Sequence, residues 1–95
     1  MASFENDNSN SLIAGTSGDD YIYNSGSNVT ISAANGNDTV YNDDDYYVAE
    51  KVIIYGGDGN DNIYNGADNV TINGGKGNDS IHNTSNGYNV TMAIT

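Results

Sequence analysis

The apolar residues of this 95-residue chain fall in short alternating sets rather than in stretches. Val29/Ile31, Val52/Ile54, Val70/Ile72 and Val90/Met92 each bracket one intervening residue, and Ile22, Val40, Ile63 and Ile81 recur singly among polar neighbours. An apolar residue at every second position marks a strand with one buried face. Both sets are therefore predicted to point inward, from two facing walls. Thr30, Ile53, Thr71 and Thr91 point outward from one wall, and Tyr21, Thr39, Asn62 and Ser80 from the other. A helical reading fails, because glycine and asparagine recur before a 3.6-residue period can develop. Strands this short cannot stand alone, so cohesion has to come from stacking.

The residues between the strands repeat as well. Glycine-rich turns lead into strands at GTSGDDYIY (15–23), AANGNDTVY (33–41), GGDGNDNIY (56–64) and GGKGNDSIH (74–82), each with aspartate in the sixth place. The turns start 18, 23 and 18 residues apart. Between them lies a second unit, NSGSNVTIS (24–32), NGADNVTIN (65–73) and the longer NTSNGYNVTMA (83–93), and the middle interval swells to NDDDYYVAEKVIIY (42–55). Coils of 18 residues stacked at about 4.8 Å turn each segment into a strand of a parallel sheet. The predicted fold is all-β, a right-handed parallel β-solenoid of about four such coils over residues 12–95, preceded by a polar tail at 1–11. Stacking places Tyr23, Tyr41, Tyr64 and His82 in one row and Asn24, Asn42, Asn65 and Asn83 in the next, both favourable ladders for in-register strands.

Composition adds a requirement. Thirteen acidic residues face only Lys51 and Lys76, for a net charge of −11, which repels phosphate backbones and anionic lipid and suits a cation. No cysteine is available to staple a small chain, and each coil offers few inward aliphatics. A bound metal is the obvious remaining source of cohesion.

The turns have the chemistry for it. Closely spaced glycines allow positive φ and let carbonyls converge, and calcium takes six to eight oxygens from carbonyls and carboxylates. Two stacked turns can supply that number where one cannot. These nonapeptides resemble the repeat-in-toxin (RTX) calcium-binding β-rolls; GGDGNDNIY and GGKGNDSIH match the family pattern in full, while Thr16, Ala33 and Ala34 depart from it. The resemblance implies ions seated between successive turns and held by Asp20, Asp38, Asp61 and Asp79. The implied carbonyl donors are Gly15, Ser17 and Gly18; Ala33, Asn35 and Gly36; Gly56, Gly57, Asp58 and Gly59; and Gly74, Gly75, Lys76 and Gly77. Family rolls carry the motif in both halves of a coil. Here the alternate half has Val29, Val52, Val70 and Val90 in the aspartate place, so one ion row along a single edge is expected, with asparagine-rich turns closing the other. Ala33 and Ala34 are expected to strain the second turn.

Other features read more plainly. Asp43-Asp44-Asp45 is a solvated bulge within the insertion, and His82 is a ladder residue with no partner for zinc binding or acid–base work. No catalytic constellation is expected. Four turns would enclose three complete sites, leaving half-sites at Asp20 and Asp79, and open solenoid ends tend to polymerise. The expected function is a calcium-folded structural module outside a bacterial cell that associates head to tail. The alternative is a calcium-triggered folding and secretion module of a larger toxin, enzyme or adhesin. The row Thr30, Thr71, Thr91 is similar to that of ice-binding solenoids, but Ile53 and Lys51 interrupt it. Neither nucleic-acid binding nor membrane insertion is expected.

Overall fold

The computed structural model describes residues 2–42, 51–67, 69–83 and 90–93. The Asp43–Asp45 segment and the side chains of Val90 and Met92 lie outside the described part. Ten strands follow one another: β1 (Ala2–Asn6), β2 (Leu12–Ala14), β3 (Asp20–Asn24), β4 (Val29–Ser32), β5 (Thr39–Asn42), β6 (Val52–Tyr55), β7 (Asn62–Asn65), β8 (Val70–Asn73), β9 (Ser80–Asn83) and β10 (Val90–Ala93). They form two parallel five-stranded sheets, one ordered β1-β3-β5-β7-β9 and the other β10-β8-β6-β4-β2. Odd strands build one wall and even strands the other, as a solenoid requires.

Period 2 survives in the burial. Ile22, Val40 and Ile63 face Val29, Ile31, Val52, Ile54, Val70 and Ile72, all at most 1% exposed, and Phe4 and Ile81 pack against this core at its two ends. Identical positions stack: Ile22 on Val40, Val40 on Ile63, and Ile63 on Ile81. The five-residue insertion is absorbed between β5 and β6, so Val29 still pairs with Val52.

The edge opposite the glycine turns is closed by buried asparagine. Each side-chain amide donates to the carbonyl oxygen of the next asparagine, from Asn6 to Asn24, Asn24 to Asn42, Asn42 to Asn65 and Asn65 to Asn83, at 2.8–3.0 Å. Within its own turn Asn24 also takes the Gly26 N–H and donates to the Gly26 carbonyl, and Asn65 does the same with Ala67. A buried amide is tolerated there because its donors and acceptor are used. On the outer face, Tyr41 and Tyr64 stack at 4.6 Å and Tyr64 and His82 at 4.8 Å, while Tyr41 meets Tyr21 at a tilt.

Residues 2–11 are not the polar tail predicted for 1–11. Residues 2–6 form β1, in register beneath β3 with Phe4 under Ile22 and Asn6 under Asn24, and β2 pairs with β4. Asn6 begins the amide ladder, and the Asn10 side chain accepts from Asn28. The first coil lacks a glycine-aspartate entry and has phenylalanine for an aliphatic, so its repeat was hidden.

Ala34 takes φ +71°, the conformation held by Gly57 (+85°) and Gly75 (+80°) at the same place in later turns. A Cβ there opposes the neighbouring carbonyl, costing about 1–2 kcal/mol. Ala34→Gly is therefore expected to stabilise the fold by about 0.5–1 kcal/mol, since part of the relief is lost to glycine's unfolded-state entropy. A thermal melt of the variant checks this; a lower melting temperature would show that the alanine turn is unstrained.

Candidate metal centre

Four turns, 15–19, 33–38, 56–61 and 74–79, lie one above another along one edge, each carrying a β2-, β4-, β6- or β8-sheet chain across to the facing sheet. The ladder extends one residue into them: Gly15 N–H donates to Ser32 O, Ala33 to Tyr55 O and Gly56 to Asn73 O. Two side-chain ladders then run in opposite senses. In the sixth place, Asp20 N–H donates to Asp38 Oδ1, Asp38 N–H to Asp61 Oδ1 and Asp61 N–H to Asp79 Oδ1, at 2.8–2.9 Å. In the fifth place, Asn37 N–H donates back to Asp19, Asn60 N–H to Asn37 and Asn78 N–H to Asn60, each at 2.8 Å. The fifth-place row is a structural feature that the repeat pattern did not bring out. Its signal was present, since that place is always Asp or Asn.

The sixth-place carboxylates are deeply placed. Asp20, Asp38 and Asp61 are 1% exposed, and Asp79 is half-buried. One oxygen of each ladder acceptor is used by a backbone N–H; the other, Oδ2 of Asp38, Asp61 and Asp79, is buried with no hydrogen-bond partner. Burial pushes Asp61 up to about 7, with the Asp38 N–H opposing the rise and the Asp38 and Asp79 charges adding to it. Asp38 rises to about 6, again chiefly through burial, with the Asp20 N–H opposing and Asp20 and Asp19 adding to the rise. A buried, orphaned carboxylate oxygen is a large cost unless a cation or proton meets it.

The backbone keeps space beside these atoms. A Cβ on Gly56 would lie 2.7 Å from both Asp61 Oδ2 and the Gly74 carbonyl oxygen, and one on Gly74 would lie 2.7 Å from Asp79 Oδ2. Gly15 has the same relation to Asp20 Oδ2 and the Ala33 carbonyl. Ala33, fully buried, places a methyl group at this position in the second turn. First-place residues thus line the recess, whereas the third-place side chains of Ser17, Asn35, Asp58 and Lys76 are exposed. Gly18 and Gly77 are also exposed, while Gly36, Gly57, Gly59 and Gly75 are half-buried in the stacked turns.

The first turn departs from the rest. Thr16 N–H and Oγ1–H both donate to the Asp20 carboxylate at 2.7 Å, so both its oxygens are satisfied by the chain. Below Asp20 in the same register comes Ala2, which carries no carboxylate. Among the described residues no three His, Cys, Asp or Glu side chains cluster. Hard oxygen donors with orphaned carboxylates fit calcium rather than a softer transition metal.

Parallel coils closed along one edge by stacked glycine-aspartate turns, with buried carboxylates beside backbone carbonyls, define a β-roll with cation-binding turns. A model of the RTX calcium-binding nonapeptide repeat matches residues 7–40, 14–48 and 52–72 in four copies, and the chain belongs to that family. Its repeats are calcium-binding structural units, not catalytic ones. A comparison with curated proteins and with solved structures finds no match.

Proposed function

We propose that the chain is a structural module that is unfolded at low calcium, folds on calcium outside a bacterial cell, and then associates end to end. One observation carries the calcium step: the orphaned Oδ2 atoms of Asp38, Asp61 and Asp79 at the stacked turns. The ligands are these carboxylates with carbonyls drawn from 33–36, 56–59 and 74–77; calcium supplies the positive charge that makes their burial favourable. The gap between the third and fourth turns binds most tightly, because both are fully glycine-built. The gap below the second turn is weaker, since Thr16 already occupies the Asp20 carboxylate. The methyl group of Ala33 weakens the gap above it.

Family repeats occur in secreted bacterial proteins, which favours an extracellular setting. The same turns would also serve as the folding trigger of a larger exported protein. A calcium titration followed by circular dichroism and by sizing tests the proposal. The expected midpoint is about 10⁻⁴–10⁻³ M, the range of extracellular calcium modules, with magnesium a poor substitute. A sub-micromolar midpoint would sink the extracellular trigger, and a calcium-folded species that stays monomeric at every concentration would sink the assembly.

A further inference from the structure

Three Asn-Gly pairs fall among the described residues, Asn35-Gly36, Asn65-Gly66 and Asn73-Gly74; a fourth, Asn86-Gly87, lies outside them. An asparagine before glycine can react with its own backbone. The nitrogen of the next residue attacks the side-chain carbon Cγ, ammonia leaves and a five-membered imide closes. Glycine favours this because it has no Cβ to screen its nitrogen. In a folded chain the outcome depends on whether both groups are free to approach.

Packing treats the three pairs differently. Asn65 is 1% exposed; its amide donates to the Ala67 carbonyl and Asn83 Oδ1, and its Oδ1 accepts from Asn42 and the Ala67 N–H. The Gly66 N–H is engaged as well, donating to the Asn42 carbonyl oxygen at 2.9 Å. Asn73 is exposed, but its Oδ1 takes the Gly75 N–H at 3.0 Å and its carbonyl takes the Gly56 N–H. Gly74 beside it is buried against the Asp79 side chain. Asn35 is exposed in the third place of the second turn. Among the described residues nothing hydrogen-bonds to its side chain or to the Gly36 N–H.

We infer that Asn35-Gly36 is a self-modification site of the folded roll, with water as its only co-reactant. The Gly36 nitrogen bonds to Asn35 Cγ, the Cγ–Nδ2 bond breaks, and the Gly36 amide proton leaves with Nδ2 as ammonia. Water then adds to one of the two imide carbonyls and opens the ring. Opening on one side leaves aspartate at 35. Opening on the other leaves isoaspartate, whose main chain runs through the former side chain and is one methylene longer. No ion takes part, so the site stands apart from the filling of the neighbouring gaps.

The stack accepts one product and not the other. Aspartate already occupies the third place one turn further on, as Asp58. An added methylene has no such precedent, because Gly36 (φ +104°) is wedged between the turns on either side. A Cβ on Gly36 would lie 2.5 Å from the Gly18 carbonyl oxygen, and one on Gly59 would run into the Gly36 carbonyl oxygen. Isoaspartate is therefore expected to push the second turn out of register and to release the Asp38 N–H from Asp61.

The native chain is held in mildly alkaline buffer with millimolar calcium, beside the same chain in urea, and its peptides are followed by mass spectrometry. In urea the pairs are expected to lose ammonia at similar rates. In calcium Asn35 is expected to react at least about tenfold faster than Asn65 and Asn73, whose reaction has to wait for local opening. Asn35→Ser, the residue that Ser17 supplies in the first turn, is expected to keep the fold and abolish the reaction at that place. Hydrogen exchange at the Asp38 N–H is expected to quicken in the isoaspartate fraction and to stay unchanged in Asn35→Asp. Reaction at Asn65 or Asn73 as fast as at Asn35 in calcium overturns the site. An isoaspartate fraction that exchanges like the native chain overturns the loss of register while leaving the site in place.

Discussion

In chelator at about pH 8 the chain is expected to lose its β-sheet signal, and acidification to about pH 5 is expected to restore much of it. The sign follows from the two raised carboxylates. Asp61, at about 7, and Asp38, at about 6, bind protons more tightly in the fold than in the open chain, where the value is 3.8. Their burial costs nothing below the open-chain value. The cost grows as the pH climbs through 6 and 7, because the fold must then hold ionised oxygens without partners. Holding both carboxylates ionised in the fold therefore opposes folding. Calcium reverses the dependence: it stabilises the ionised forms, so the loaded fold weakens as acid competes for Asp38 and Asp61. Circular dichroism across that range, with and without calcium, should give two curves of opposite slope. Parallel curves would mean that these carboxylates are not the cation ligands.

Asp61→Asn should move the two states in opposite directions. Asparagine can keep the acceptor for Asp38 N–H but removes the buried charge, so the ion-free fold is expected to gain about 1–3 kcal/mol. With calcium the same change removes a proposed ligand from the best-built gap, and the affinity of the tightest site is expected to fall at least about tenfold, or 1.4 kcal/mol. Asp20→Asn is the control. Its carboxylate accepts from both Thr16 groups, and the amide leaves one donor facing another. It should therefore destabilise the fold by about 1–3 kcal/mol with or without calcium, while leaving the tightest site in place. Calorimetric titration beside denaturant melts separates the two variants. Equal losses of calcium affinity in both would make Asp20 a full ligand and Thr16 incidental.

Strand alternation, the coil repeat, the tyrosine and asparagine rows and the recurring aspartates were legible along the chain. Period 2 and a fixed coil length are covalent regularities, and in a stack of identical coils they settle which residues lie over one another. Val29, Ile54 and Ile72 could thus be placed inward from spacing alone, whereas of the two alanines expected to strain the second turn only Ala34 takes positive φ. What each side chain does in its place depended on the particular neighbour above or below. Stacking turned residues 2–6 into a strand, because Phe4 fits under Ile22 although its own segment has no turn motif. It also set the two Asx ladders running in opposite senses, and left Asp38, Asp61 and Asp79 each with one buried oxygen unmatched. Asp20 has the same place in the repeat and differs only because Thr16 reaches it. Local pattern could place those four aspartates, but only packing could show which of them keep a buried oxygen unmatched.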